Sequence, residues 1–221
     1  MKTIVYMNND QIQILSLAYE KSAATPKLDV ELKIDLPSGS VINGVILDGD
    51  AIVSALEPHS KLLENTTVVI NSSNIYVKKL MVPELTEKQL LTVVENEFSL
   101  TDDNKELVYD FSSYKIGKTN AVLCCAVSLN LISRYAEVFQ RAKIVPKKFD
   151  IIQNAITKFV KNQDALKAKT FVLNVIEGSH MLSVLFENGE YVLANRNAIL
   201  AEENEAQRRE QLFSYLSAMI Q

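Results

Sequence analysis

Apolar and polar positions change period several times along the chain, and each change marks an element. Thr3–Tyr6 and Gln11–Ala18 are short apolar-rich runs around Asn8-Asn9-Asp10, the signature of a hairpin. After the patch KSAATPK comes LDVELKIDL, where Leu28, Val30, Leu32, Ile34 and Leu36 alternate strictly with charged residues. A period of two with one wet face predicts an antiparallel strand open to solvent on one side. Pro37-Ser38-Gly39 ends it. A short helix follows, with Asp50 as the expected cap and Ile52, Val53 and Leu56 on one stripe, Pro58 lying soon after its end. Thr66–Ile70 and Ile75–Val82 read as strands, the second stopped by Pro83.

Thr86-Glu87-Lys88-Gln89 spells a capping box, in which the threonine oxygen takes an amide of the first turn and the glutamine side chain reaches back. Leu90, Leu91, Val94 and Phe98 then fall on one helical face. Two strands, Glu106–Tyr114 and Ala121–Ser128, are joined across IGKTN. A second helix carries Leu131, Ile132, Tyr135, Val138, Phe139 and Ala142, with Pro146 beyond it. This strand–helix–strand–strand–helix order predicts a compact α+β unit over residues 75–145. Asp150 is the expected cap of a third helix (Ile151, Ile152, Ala155, Ile156, Phe159, Val160). A polar connector, KNQDALKAK, leads to VLNVIEGSHMLSVLFENGEYVLANR, whose Asn188-Gly189 is a strong hairpin signal. The last segment is acidic at its start and carries Leu212, Leu216, Met219 and Ile220 on one side, as a docked terminal helix or a chain cut short would.

Composition narrows the picture. The chain has 221 residues, 48% hydrophobic and 23% charged, enough for one large or two small domains with a sizeable core. A net charge of −4 speaks against a nucleic-acid surface, and Lys143, Lys147 and Lys148 read as a solvated loop. No run approaches a membrane span and no signal-like stretch opens the chain, so a soluble, unexported protein is expected. Its two cysteines, Cys124 and Cys125, are neighbours in a strand and point to opposite faces, which forbids an unstrained disulfide; buried reduced thiols are expected.

Little catalytic chemistry is legible. Glu177, Gly178, Ser179 and His180 form a polar cluster that reads either as a site or as a strand-connecting turn. His59 reads as a surface or capping residue. With the two histidines so far apart, no metal site is expected. Ser72, Ser73 and Asn74 make a polar turn without an acid–base partner in sequence. No G-x-S-x-G, Walker loop or H-E-x-x-H occurs.

Residues 3–18 and 170–194 share one plan of strand, polar turn, strand and more sheet, each leading towards a helix. Two such β-β-β-α copies organise the actin-like ATPases. The unit inserted between them resembles the small inserted domain of FtsA and of the pilus-assembly protein PilM. INSSNIYVKKLMVPELTEKQLLTVVENEF is similar to the PilM pattern of Ser-rich turn, strand, Met-Pro and helix, and NGVILDGDAIVSAL to the G-x-I-x-D step before it. The likeness spans roughly residues 1–200, and the cytoplasmic part of the secretion protein GspL shares the plan.

The resemblance implies an actin-like (ribonuclease H-like) α+β / α/β fold with an inserted strand–helix–strand–strand subdomain. It divides the chain into 1–74, the first actin-like subdomain; 75–147, the insertion; and 148–221, a helix returning to the first subdomain and the start of the second. It implies a cytoplasmic scaffold of type IV pilus assembly, or of related type II secretion or competence machinery, peripheral at the inner membrane through a partner. That partner is a PilN-like membrane protein whose short cytoplasmic tail lies, in the family, between the first and inserted subdomains; the assembly ATPase of the same machine is a further candidate, and self-association is left open. The strand Leu28–Leu36 and the strands at 106–128 are candidate edges for an extended tail.

The family's ATP-binding members carry Asp-Ile-Gly in both phosphate turns. Here the first is Met7-Asn8-Asn9-Asp10-Gln11, with no glycine, and the second Val175-Ile176-Glu177-Gly178-Ser179-His180, with valine and glutamate at the aspartate and glycine places. Only Gly178 and Ser179 remain as a degenerate cofactor-binding turn, so neither a cofactor nor catalysis is expected, ATP being the one ligand the fold raises. The part that forms much of the adenine pocket is also missing. The alternative is an actin-like ATP-binding protein, either an active PilM ATPase or an FtsA-like division protein; the latter class uses a basic amphipathic C-terminal helix, whereas the last segment here is acidic at its start and without lysine.

Overall fold

The computed structural model describes residues 2–18, 27–99, 106–116, 119–200 and 204–220. Its chain divides into two compact units, residues 1–74 with 128–152 and residues 75–127 with 153–221.

The first unit is built on a five-stranded sheet. β1 (Lys2–Met7), β2 (Gln11–Ala18) and β3 (Lys27–Asp35) form an antiparallel meander. β6 (Thr66–Ile70) adds to the free side of β1 in parallel, and β10 (Lys148–Ile151) adds to β6, again in parallel. Val5, Met7, Ile12, Ile14, Val68 and Ile70 are buried, as the period of two predicts. β3 departs from strict alternation through a bulge: Val30 pairs with Ser16 and Leu28 with Leu17, leaving Asp29 as the extra residue.

Between β3 and β6 lies a miniature hairpin, β4 (Val41–Ile42) and β5 (Val45–Ile46), turning at Asn43-Gly44. Its turn has positive φ at both residues, 51° and 74°, the I′ pattern that Asn-Gly favours. Helix α1 (Gly49–Leu56) follows, and Pro58 lies in a single 3₁₀ turn, Glu57–His59, directly after it.

The cap of α1 differs from expectation. Asp48, not Asp50, is the extended N-cap, its carboxylate accepting from the amides of Asp50 and Ala51, both at 3.0 Å. Asp50 is two residues further in, within the first turn, and pairs with Arg141 of helix α3 (Leu129–Arg141), which packs on α1. The helix expected to close the inserted unit thus lies with residues 1–74. Asp150 lies within β10, its carboxylate accepting from the Ile151 amide, and α4 runs Ile152–Lys161. A four-residue strand abutting a helix is too short to show its own period.

In the second unit β7 (Ile75–Val82), β8 (Leu107–Ile116) and β9 (Thr119–Ser128) form a sheet with β9 in the centre, covered by α2 (Glu87–Phe98). The capping box forms as written, Gln89 N–H donating to Thr86 Oγ1 and Thr86 N–H to Gln89 Oε1. Leu90, Val94 and Phe98 pack on Val122, Cys124 and Ala126, while Leu91 stays exposed. Both cysteines are free thiols. The Gly117-Lys118 link of IGKTN and residues 21–26 lie outside the described residues.

The same unit holds a second meander, β11 (Phe171–Glu177), β12 (His180–Glu187) and β13 (Glu190–Ala198), followed by α5 (Glu205–Ile220). The meander repeats the β1–β2–β3 plan. On α5, Met219 is buried and Leu212 and Leu216 are half-buried. On α4, Ile156 and Val160 are buried, but Phe159 faces solvent.

Candidate functional site

The two turns that the resemblance marks as phosphate turns are β1–β2 and β11–β12. In the β1–β2 turn, Asn8 does the organising. Its side-chain oxygen accepts from the amides of Asp10 at 2.9 Å and Gln11 at 2.8 Å, and its own amide donates to the Gln11 carbonyl at 3.1 Å. The amides a phosphate would need are thereby given to an internal carboxamide.

The next residue ties this turn to its neighbours. Asn9 Oδ1 accepts from the Asn43 amide at 2.9 Å, and Asn43 Nδ2 donates to Ser73 Oγ. Gly44 leaves no room for a side chain: a Cβ there would lie 2.1 Å from the carbonyl oxygen of Asn71. Asn71 in turn donates to the Tyr6 hydroxyl at 3.1 Å. Asn9, Asn43 and Ser73 thus link three turns, Asn9 through the Asn43 backbone amide and Asn43 through its own side chain, and the polar turn at Ser72–Asn74 serves as packing, with Ser72 buried and its hydroxyl accepting from the Asn74 amide. Sequence reading missed the Asn43 turn, although it carries the same Asn-Gly signal recognised at 188–189.

Gly178 and Ser179 form the two-residue tip of the β11–β12 hairpin, with Glu177 paired to His180. Gly178 has φ 52° and Ser179 is not left-handed, the II′ arrangement for which glycine is the default first residue. Ser179 Oγ lies 3.3 Å from His180 Nδ1, and the Ser179 carbonyl accepts from the Ile199 amide at 2.7 Å. The hairpin therefore brings Glu177, Gly178, Ser179 and His180 together as a strand connection. His59, in the 3₁₀ turn, belongs to the other unit. Among the described residues, no group of three or more His, Cys, Asp or Glu is placed to hold a metal ion.

One further polar group was not legible in sequence. The Tyr114 hydroxyl of β8 donates to Glu190 at the start of β13, and Lys161 of α4 places its ammonium 3.3 Å from the Tyr114 ring centroid and 3.5 Å from Glu190. Burial, reinforced by the Glu190 carboxylate, pushes the phenol well above its ordinary range, so it remains a hydrogen-bond donor at every physiological pH. The three residues come from positions far apart in sequence, and only the packing of the inserted sheet beside β13 brings them together. Their arrangement is a tie, with the carboxylate already committed.

Comparison with known proteins places this geometry in a class. No protein-family model and no curated protein matches the sequence. Solved structures do match. They include a chain of a PilM–PilN type IV pilus biogenesis complex, with TM-score 0.71 and 14% identity, over 90% of this chain and 61% of that one. A Bacteroides thetaiotaomicron protein of actin-like ATPase fold and unknown function matches at TM-score 0.55 and 12% identity, over 99% and 76%. The cytoplasmic domain of EpsL, an inner-membrane component of the Vibrio cholerae type II secretion system, matches at 0.52 and 10%, over 89% and 71%.

The chain has an actin-like fold. Within that class it is PilM-like in architecture, and it spans about three-fifths of the length of the PilM–PilN chain it matches. No described helix is long and apolar enough to cross a membrane.

Proposed function

We propose that this protein is a scaffold of type IV pilus assembly, or of the related type II secretion or competence machinery, working in the cytoplasm at the inner membrane by binding the cytoplasmic tail of a bitopic membrane partner. The observation that carries the reading is the fold likeness to the PilM–PilN chain over 90% of this chain, at a sequence identity too low to preserve more than the architecture. The proposed division of labour follows the expected subdomains: a first actin-like part, an insertion for recognition, and the start of a second actin-like part.

Recognition of an extended tail suits the open strand edges. β3 and β8 are outer strands of their sheets, whereas β9, also a candidate by sequence, is central and has no free edge. Backbone hydrogen bonds along such an edge give affinity, and pockets for alternate side chains give selectivity. Catalysis is no part of the proposal, and Gly178 and Ser179 act in it as a hairpin tip. The internal bonding of Asn8 favours this over the alternative, an actin-like ATP-binding protein.

The test is affinity capture by the full chain from detergent-solubilised inner membranes of the source bacterium. The reading expects a bitopic protein with a short cytoplasmic tail, whose capture is lost when that tail is deleted. Recovery that survives tail deletion, or no membrane protein at all, overturns it.

A further inference from the structure

β11 is bonded to β12 alone, and among the described residues no strand pairs with its outer edge. In the first unit, the corresponding edge of β1 is covered by β6. Phe171, Val172, Leu173, Val175 and Ile176 make β11 apolar, yet none of them is buried, and Ile176 is 47% exposed. Outer strands are commonly guarded by charge, proline or a bulge, because a bare edge is a template for another strand. β3, β7, β8, β10 and β13, the other outer strands of the five- and three-stranded sheets, each carry charged residues. From Phe171 to Ile176 there is neither charge nor proline, and the register with β12 runs without a bulge.

The β11–β12 turn sets which groups face outward. A two-residue turn closes on a hydrogen-bonded pair, here Glu177 with His180, and such pairs alternate along the ladder. Phe171, Leu173 and Val175 therefore bond β12, while Val172, Asn174 and Ile176 turn their amides and carbonyls outward. We propose that β11 pairs antiparallel with β11 of a second copy of this chain, about a two-fold axis at Asn174, joining two three-stranded sheets into one. In this register Val172 faces Ile176 of the other copy, twice, and Asn174 faces itself, as an isologous interface requires. Every outward amide and carbonyl of the three residues then finds a partner. Other registers fail. Centring on Leu173 or Val175 sets Ile176 or Val172 opposite Thr170 or Gly178, outside the strand, and sets Asn174 against an apolar residue. Setting even positions against odd ones puts outward groups against groups already bonded to β12.

Side chains agree with the backbone. Val172, Asn174 and Ile176 lie on one face of the sheet, where Val172 pairs with Leu185 and Leu185 with Leu193, itself 39% exposed. Ile176 of the second copy extends that row, so apolar surface is covered on both sides of the axis. Asn174 is exposed, and its Oδ1 accepts from Ser183 Oγ at 2.7 Å. That bond orients the side chain and leaves its N–H groups to donate to the other Asn174. Glu177, the charged end of β11, meets Phe171, so no like charges face each other. Edge pairing buries a modest area, so the dimer is weak and depends on concentration.

Sedimentation velocity of the full chain, over a concentration series reaching hundreds of micromolar, tests this together with amide exchange followed by NMR. Wild type is expected to dimerise as concentration rises, with exchange slowing at Val172, Asn174 and Ile176. Two double variants change the same positions and differ only in sign. Val172→Lys with Ile176→Lys opposes like charges at both symmetric contacts and weakens the dimer by about tenfold or more. Val172→Lys with Ile176→Glu sets opposite charges there and is expected to dimerise more tightly than the first by a similar factor. Parallel pairing in register would set each position against itself, and the two variants would then behave alike. Where circular dichroism shows a variant unfolded, the wild-type exchange alone decides. A wild type that stays monomeric, slowing confined to residues outside β11, or two folded variants that dimerise alike overturns the proposal.

Discussion

The hydroxyl of Tyr135, on α3, donates to the carbonyl of Gly44 at 2.9 Å, across 91 residues of sequence and inside the core of the first unit. The bond fixes the back of the Asn43-Gly44 turn, whose front is held by Asn9 and Ser73. Burial pushes the phenol far above its ordinary range, so it donates at every accessible pH. Tyr135→Phe leaves the Gly44 carbonyl without that donor and is expected to cost about 1–3 kcal/mol. Urea denaturation checks this, and the loss is expected to be the same at pH 6 and pH 8.

Gly44 itself is the least replaceable residue of that turn. Its φ of 74° disfavours any side chain, and the Asn71 carbonyl occupies the Cβ position. Gly44→Ala is expected to destabilise by about 3 kcal/mol or more, because the obstructing atom is backbone that cannot rotate away. Thermal unfolding measures it, and an unchanged Tm contradicts the geometry.

The two aspartates at the start of α1 separate a cap from a surface pair. Asp48→Ala removes the acceptor for two orphan amides and is expected to cost about 1 kcal/mol. Asp50→Ala removes only an exposed contact with Arg141 and is expected to cost less. Bonding to Arg141, and the arginine's charge, hold the Asp50 carboxyl below its ordinary value. Whatever this pair contributes is therefore present above about pH 4, the range of an unfolded aspartate, and is lost as pH falls through the lower folded value. Denaturation of wild type and Asp50→Ala from neutral pH into acid, at low and high salt, should show their difference shrinking under acid and under salt.

Burial raises the Cys124 thiol to about 11. At neutral pH it is thus almost wholly protonated and shielded, and thiolate chemistry is suppressed. Alkylation of native protein at pH 7.5 is expected to leave Cys124 unmodified for hours, and unfolding in urea to expose it at once. Peptide mass spectrometry reads the site, and rapid native labelling of Cys124 contradicts its placement under α2.

Much of this architecture is local enough to be written in the sequence. The Thr86–Gln89 box, the β1–β2 hairpin and the Asn188-Gly189 turn each rest on contacts within a few residues, and each forms, while the strict alternation read along β3 holds from Val30 to Asp35 and breaks at the bulge beside Asp29. What escaped depends on distant partners. β10 exists because β6 offers a parallel edge, and four residues beside a helix carry no readable period. Asp48 and Asp50 both suit a cap by composition, and only backbone geometry separates them. α3 follows the inserted strands in sequence but packs with the first unit, where Tyr135 bonds the Gly44 carbonyl, Val138 lies against Gly49 and Arg141 pairs with Asp50. At the candidate site the missing glycines were legible, whereas the capture of the turn amides by Asn8 was not.

The central claim is that the actin-like shape serves recognition while its first phosphate turn is closed upon Asn8. Calorimetric titration of the full chain with Mg²⁺-ATP tests this most directly. The account predicts no saturable heat at millimolar nucleotide; a saturable, Mg²⁺-dependent heat with one-to-one stoichiometry would contradict it.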